Sequence, residues 1–204
     1  KNGGMMASSK HRTLVIWILL ILLLTANDSL GQSREKTKSI FGIKIGNIFE
    51  NDFKLSPLKN GSTSYSYYTK ESSLGGGVFL DMPIGQRFYG GFSLEIQTVK
   101  FAYYSKYWKL LEFGANFKIK IPVPHNSFIF RPGLGLAFGI MSDAPVLENS
   151  RFLIGKAFLE SVIMAGKKFG FLFDIGLWSV LKGGNDDYNI TMGPTLMFRL
   201  GLQF

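Results

Sequence analysis

The sequence predicts an all-β fold: an eight-stranded antiparallel up-and-down transmembrane β-barrel, preceded by an N-terminal signal-peptide helix. Three observations carry that prediction. From residue 39 onward the chain breaks into short segments of period 2, the residue spacing of a strand with two unlike faces. The connections between segments alternate between long polar stretches and short tight ones. Within the segments, charged residues share a parity with glycine far more often than with bulky apolar residues.

The first element is the apolar run "LVIWILLILLL", Leu14 to Leu24, preceded by Lys10, His11 and Arg12. A helical rise of about 1.5 Å per residue carries this run across roughly 16 Å, against the roughly 30 Å of a bilayer core. It is too short for a retained anchor. With Ser29 and Gly31 as a small-x-small site, it reads as a secretory signal peptide over 1–31, cleaved after Gly31. Residues 32–38 then form a short periplasmic lead, and 39–204 form the barrel. The leading "KNGGMMASS" has no periodicity, so Met5 or Met6 is the expected start of translation. No Cys is available for a lipoprotein anchor, a disulfide or a thiolate metal site.

Strands are expected at 39–48, 73–82, 87–98, 108–121, 128–141, 156–166, 170–181 and 189–204. In the first, Phe41, Ile43 and Ile45 share one parity, and Lys44 shares the other with Gly42 and Gly46. The second sets Leu74, Val78 and Leu80 against Asp81, Gly75 and Gly77, and the third sets Phe92, Leu94 and Ile96 against Glu95, Gly91 and Ser93. The fourth opposes Phe113, Phe117 and Ile119 to Glu112, Lys118, Lys120, Gly114 and Asn116. In the fifth, Arg131 lies with Gly133, Gly135 and Gly139, opposite Leu134, Leu136 and Phe138. The sixth breaks the pattern: Glu160 shares its parity with Phe158, Val162 and Met164, so its inward placement rests on the charge. The seventh sets Asp174 and Gly176 against Phe171, Phe173, Ile175 and Leu177. In the eighth, Met192, Pro194, Leu196, Phe198, Leu200, Leu202 and Phe204 form the apolar face, and Arg199 lies opposite with Gly193 and Gly201.

A Lys or Arg on the lipid face at mid-membrane costs about 2 to 4 kcal/mol, so the charged parity must be the inner one. A one-residue slip would turn the whole set into lipid. The expected lumen set is Lys44, Asp81, Glu95, Glu112, Lys118, Lys120, Arg131, Glu160, Asp174 and Arg199, five cations and five anions. Pro132 and Pro194 oppose a closed ladder, because Pro has no N–H to donate, and are expected at strand ends or bulges.

The first, third, fifth and seventh connections are polar and mostly long, with 49–72 and 142–155 the largest, whereas "PIGQ", "PVPHNS" and "KKFG" are tight turns. Long loops on one side and short turns on the other is the arrangement of bacterial outer-membrane barrels. The aromatic clusters "SYSYY" (64–68) and "FAYYSKYW" (101–108) sit where strands enter long loops and read as an interfacial girdle.

The chain carries a formal charge of +9. Removing 1–31 takes away Lys1, Lys10, Arg12 and Asp28, which leaves 20 basic and 13 acidic residues, or +7. Much of the excess lies toward the short-turn side, in Arg34, Lys36, Lys38, Arg87, Lys167 and Lys168, where it meets solvent or headgroup phosphates. Basic and aromatic residues do not share one platform, and an exported chain is a poor nucleic-acid binder, so no nucleic-acid partner is expected. An eight-stranded barrel has an interior that side chains fill, which favours a closed, ion-paired lumen over a channel.

Catalysis on such a barrel calls for a His with Ser, Asp or Glu near the outer rim. His11 leaves with the signal peptide, and His125, beside Asn126 and Ser127, falls in a short periplasmic turn. The remaining acid pair, Asp186 and Asp187 in "GGNDDY", reads as turn chemistry. No catalytic residue, metal site or cofactor is expected.

"FGIKIG", "GGGVFLDMPIGQRFYGGFSLEI", "LLEFGANFKI", "FRPGLGLAFG" and "RLGLQF" together resemble the PorT-like outer-membrane barrel family, across essentially all of 39–204. That family is similar in architecture to the OmpA transmembrane domain. The resemblance implies an outer-membrane barrel whose founding type is linked to secretion machinery, and it brings no residue-level active site. The expected location is therefore the bacterial outer membrane. The expected role is non-enzymatic, with loops for binding or envelope organisation; a small ion or solute channel, a lipid-modifying enzyme and a soluble periplasmic β-barrel with the apolar parity buried inside are the rival readings. Expected partners are outer-membrane lipid and lipopolysaccharide, secretion or envelope proteins, and the barrel-assembly machinery, which the terminal pattern Phe198, Leu200, Leu202 and Phe204 would address as an assembly signal.

Overall fold

The computed structural model describes residues 38–49, 52–57, 65–68, 73–99, 108–123, 128–142, 149–166 and 168–204. The expected signal peptide, residues 32–37 of the lead, the turn bearing His125, and residues 101–107 of the second aromatic cluster lie outside these residues.

Alternating apolar and small or charged residues produce strands throughout the described chain: β1 (Ile40–Ile48), β2 (Asp52–Pro57), β3 (Tyr65–Tyr68), β4 (Ser73–Pro83), β5 (Phe88–Val99) and β6 (Trp108–Ile119), followed by β7 (Ile121–Pro122), β8 (Phe128–Ser142), β9 (Arg151–Met164), β10 (Gly170–Gly184) and β11 (Tyr188–Gln203). The order β1-β4-β5-β6-β8-β9-β10-β11 is antiparallel at every step, and β11 pairs back onto β1 from Gly42↔Gln203 to Ile48↔Met197. The sheet is thus a closed eight-stranded up-and-down barrel, as expected. β7 continues β6 in one register frame, Lys118↔Gly133 and then Ile121↔Phe130. The ladder between them lapses opposite Arg131 and Pro132, and Pro132 has no N–H to donate; the other flank of Pro132 pairs with Leu159.

The two faces separate as the parity argument requires. Phe41, Ile43 and Ile45 of β1, Phe92, Leu94 and Ile96 of β5, Leu134, Leu136 and Phe138 of β8 and Phe171, Phe173, Ile175 and Leu177 of β10 all point outward and are exposed. So continuous an apolar surface suits lipid and not water. The inverse arrangement, a soluble barrel with this parity inside, is not what the chain forms.

Four expectations need correction. The stretch 49–72 is not simply a loop, because β2 and β3 form a hairpin within it. β11 runs on past the end of β1, and β2 takes over its exposed backbone edge from Met192↔Phe53 to Tyr188↔Pro57. The sixth barrel strand begins at Arg151, not at 156, since "RFLIG" keeps the alternation with Phe152 and Ile154 inside and Leu153 outside. The seventh connection shrinks to the turn after Gly184, where Asn185 Oδ1 accepts from the backbone N–H of Asp187 at 3.1 Å and of Tyr188 at 3.0 Å. Finally, Met192 is not on the lipid face. Trp178 pairs with Thr195 and Val180 with Met192, so Gly193 and Pro194 form a bulge that adds a residue to β11. Parity flips across it: Met192 and Ile190 are buried inside, while Leu196, Phe198 and Leu200 face out.

Phe204 lies outside and is exposed; its backbone N–H donates to Phe41 O at 2.8 Å, and its ring tilts against Phe169 at 5.6 Å between centroids. Inside, two apolar clusters bracket the middle of the barrel. The larger, toward the long-loop end, includes Trp108, Leu110, Met141, Phe152, Ile154, Trp178, Ile190 and Met197. Trp108 is therefore a lumen residue and not part of a girdle. The smaller, toward the short-turn end, is Phe79, Val162 and Leu172.

Candidate functional site

Among the described residues, the lumen between the two apolar clusters holds ten buried charges. Their placement follows from strand register. Most long charged side chains stand across the ladder from a glycine: Lys44 faces Gly77 and Gly201, Glu95 faces Gly77, Asp81 faces Gly91, Glu112 faces Gly139, Lys118 faces Gly133, Lys156 faces Gly135 and Arg199 faces Gly46. The glycines leave room beside each long side chain. A Cβ on Gly46 would sit 2.5 Å from Arg199 Cα and 2.8 Å from its Cγ, and one on Gly77 would sit 2.7 Å from Glu95 Cα and 2.8 Å from its Cγ.

Glu160 is the hub nearest the short-turn end. Its Oε2 receives Lys44 Nζ at 2.6 Å and Lys118 Nζ at 3.1 Å, and its Oε1 receives Arg131 Nη2 at 2.6 Å. Lys118 also reaches Asp81 Oδ2 at 2.6 Å, and Arg131 donates to Gln203 Oε1. Lys44 Nζ and Lys118 Nζ each lie 4.7 Å from the centre of the Phe79 ring, so two cations share one aromatic as well as one carboxylate.

Asp174 and Arg199 link this hub upward. Asp174 Oδ2 takes Lys44 at 3.0 Å and the Arg199 guanidinium at 2.5 Å, and Arg199 Nη1 continues to Glu95 Oε2 at 2.7 Å. Lys156 closes the chain, with its Nζ 3.0 Å from Glu95 Oε2 and 2.7 Å from Glu112 Oε2. The Lys156–Glu112 contact has ion-pair distance without hydrogen-bond angles. Glu112 Oε1 instead accepts from Trp178 Nε1 at 3.1 Å, which ties the charged layer to the apolar layer above it.

Nine of the ten expected lumen residues belong to this network: Lys44, Asp81, Glu95, Glu112, Lys118, Arg131, Glu160, Asp174 and Arg199, all buried. Lys120 does not. It lies past the last residue of β6, half-buried, with its N–H donating to Arg87 O at 2.7 Å, and it makes no ion pair among the described residues. The register frame of β6 and β7 sets it across from Arg131, a like charge that itself occupies Glu160 on its other side. Lys156 takes its place in the balance of five cations and five anions. Its signal was present, since it shares the parity of Glu160, but placing the strand start at 156 hid it. Gln97 and Gln203 are further buried lumen residues that charge alone could not reveal.

The space left over is small. Beside Lys44, Glu95, Lys118 and Arg199 the lumen encloses a cavity of about 10 Å³, near the volume that admits a single water. Ions in such an interior are held by partners on several strands, and desolvation offsets much of their attraction. Among the described residues no group of three or more His, Asp or Glu is placed to hold a metal ion. Asp186 and Asp187 are exposed at the β10–β11 turn and do not converge on a His; His125 lies outside the described residues.

No protein-family model matches the chain, and no curated protein sequence matches it. Solved structures do. Neisserial surface protein A superposes with a TM-score of 0.50 over 80% of this chain and 95% of its own, at 12% identity. The N-terminal β-barrel domain of Pseudomonas aeruginosa OprF is similar over 80% of this chain and 96% of its own, at 10% identity and a TM-score of 0.41. The attachment invasion locus protein Ail of Yersinia pestis covers 82% of this chain and all of its own, at 13% identity and a TM-score of 0.40. Closed eight-strand topology, an outward apolar band and the superposition on the neisserial protein agree: this chain has the fold of an outer-membrane β-barrel.

Proposed function

We propose that this protein is a non-enzymatic barrel of the bacterial outer membrane, with a lumen sealed by its own side chains and a long-loop end that serves binding or envelope organisation. The observation that carries this reading is the filled interior: ten charges in mutual contact, apolar layers above and below, and a cavity of about 10 Å³. A rigid, sealed scaffold leaves the long-loop end as the surface that can vary and recognise. The β2–β3 hairpin supports this, because it extends the wall beyond the end of β1 on that side. The resemblance of "FGIKIG" and "FRPGLGLAFG" to the PorT-like family supports a link to envelope or secretion proteins as partners.

Planar-bilayer recording of the refolded protein tests the reading. The expected result is a silent membrane, and discrete unitary conductance that changes on Glu112→Gln would replace the sealed scaffold with a channel. Unchanged lipid A in cells that overproduce the protein is the matching expectation for the absence of lipid-modifying activity.

A further inference from the structure

Sequence patterning puts the positive excess near the short turns, yet among the described residues Lys109, Arg151 and Lys182 are exposed on the outer face at the opposite rim. Arg151 and Lys182 belong together. Leu153 is paired with Lys182 across the β9–β10 ladder, and Arg151 is two residues along β9 from Leu153 on the same outward parity. The bulge at Leu181 is what brings Lys182 onto this face, because one extra residue in β10 falls between Val180↔Ile154 and Lys182↔Leu153. The two cations line one open groove of about 310 Å³ whose floor includes Phe138 and Leu153, both exposed toward lipid.

Neither cation is in an ion pair among the described residues. Asp186 and Asp187 lie nearby in sequence, at the tip of the β10–β11 turn, and form no ion pair with them. A cationic pair at the upper margin of the apolar band, over apolar side chains that continue into the bilayer, is complementary to an anion carrying its own hydrocarbon. Arg offers a planar fork that matches phosphate, and Lys adds a point charge beside it. A protein carboxylate is the poorer fit, since the same groove is lined by the exposed apolar side chains of Phe138 and Leu153, which suit an anion with a hydrocarbon portion.

We infer that Arg151 and Lys182 form a seat for the phosphate of a membrane lipid at the long-loop rim, with its acyl portion against Phe138 and Leu153. This rests on the outer-membrane reading above and names a lipid contact within it. The seat would fix the height of the barrel in the leaflet that its long loops face.

The experiment measures binding of phosphorylated and dephosphorylated lipid A, and of inorganic phosphate alone, to the full barrel in a neutral detergent. Wild type is expected to prefer phosphorylated lipid A, and Arg151→Ala/Lys182→Ala to lose about thirtyfold in affinity, at about 1 kcal/mol for each basic residue at a membrane surface. Arg151→Lys/Lys182→Arg, which keeps both charges, is expected to stay within a few-fold of wild type. Equal binding of the dephosphorylated lipid, or undiminished binding by the double alanine variant, overturns the inference. Inorganic phosphate binding as tightly as the lipid overturns the lipid assignment. Each variant is also run on a gel with and without boiling: a heat-dependent shift shows that the barrel reading stands whatever the binding result, and a wild-type protein without the shift removes both. Should the double alanine variant alone lack the shift, Arg151→Gln and Lys182→Gln singly decide the matter by the same binding comparison.

Discussion

Arg131 and Glu160 are direct cross-strand partners on β8 and β9, and their side chains meet at 2.6 Å inside the barrel. The pair is the anchor of a hub, since the same carboxylate also holds Lys44 and Lys118. Removing it leaves three buried cations short of a counter-charge. Glu160→Ala is expected to destabilise the folded barrel by about 3 to 5 kcal/mol, the cost of breaking a buried ion pair from one side. Urea unfolding in detergent or lipid checks this, and a loss below about 1 kcal/mol would mean that the hub is not buried as described.

Lys156 and Lys120 offer a paired test of which lysine belongs to the lumen. Lys156→Met deprives Glu112 of its cation and is expected to cost several kcal/mol by the same mechanism. Lys120→Met removes a half-buried lysine without an ion-pair partner and is expected to fall within about 0.5 kcal/mol of wild type. The same unfolding measurement ranks them, and the reverse order would restore Lys120 to the network.

Gly77 faces Lys44 on one side and Glu95 on the other. A Cβ there would overlap Leu94 O, a backbone atom that cannot swing aside. Gly77→Val is expected to destabilise by about 1 to 3 kcal/mol or to lower the yield of folded barrel. The heat-dependent gel shift quantifies the folded fraction, and wild-type yield together with wild-type stability would argue against the packing.

The outer face is tested with a charge at mid-strand. Ile175→Arg is expected to cost about 2 to 4 kcal/mol, because Ile175 points outward from the middle of β10. Equilibrium folding into vesicles measures the difference, and a neutral result would place that side chain in water.

The bulge at Gly193 and Pro194 predicts opposite labelling on its two sides. The chain has no cysteine, so single substitutions report cleanly. Leu196→Cys is expected to react with a lipid-soluble maleimide in folded protein, and Met192→Cys to be protected. Equal labelling of the two would mean an unbroken parity through β11.

Alternation of single residues determined most of this architecture without help from the fold. A charge cannot sit on the lipid face and a bulky apolar residue gains by doing so, so parity alone assigned the faces of β1, β4, β5, β6, β8 and β10. It also named eight of the ten lumen charges, and the charge itself placed Glu160 against the parity of its strand. What it could not supply is anything that depends on the partner strand. Whether Lys120 or Lys156 finds a carboxylate depends on where neighbouring strands end, and the extra residues at Leu181 and at Gly193–Pro194 become visible only when β10 and β11 are aligned. Those bulges turn Met192 inward and set Lys182 beside Arg151's strand at the rim. The physical reason is range: side-chain direction is a local property of the backbone, whereas pairing, register shifts and the sharing of one carboxylate by three cations arise from residues on different strands, up to 116 positions apart in sequence, brought together only when the barrel closes.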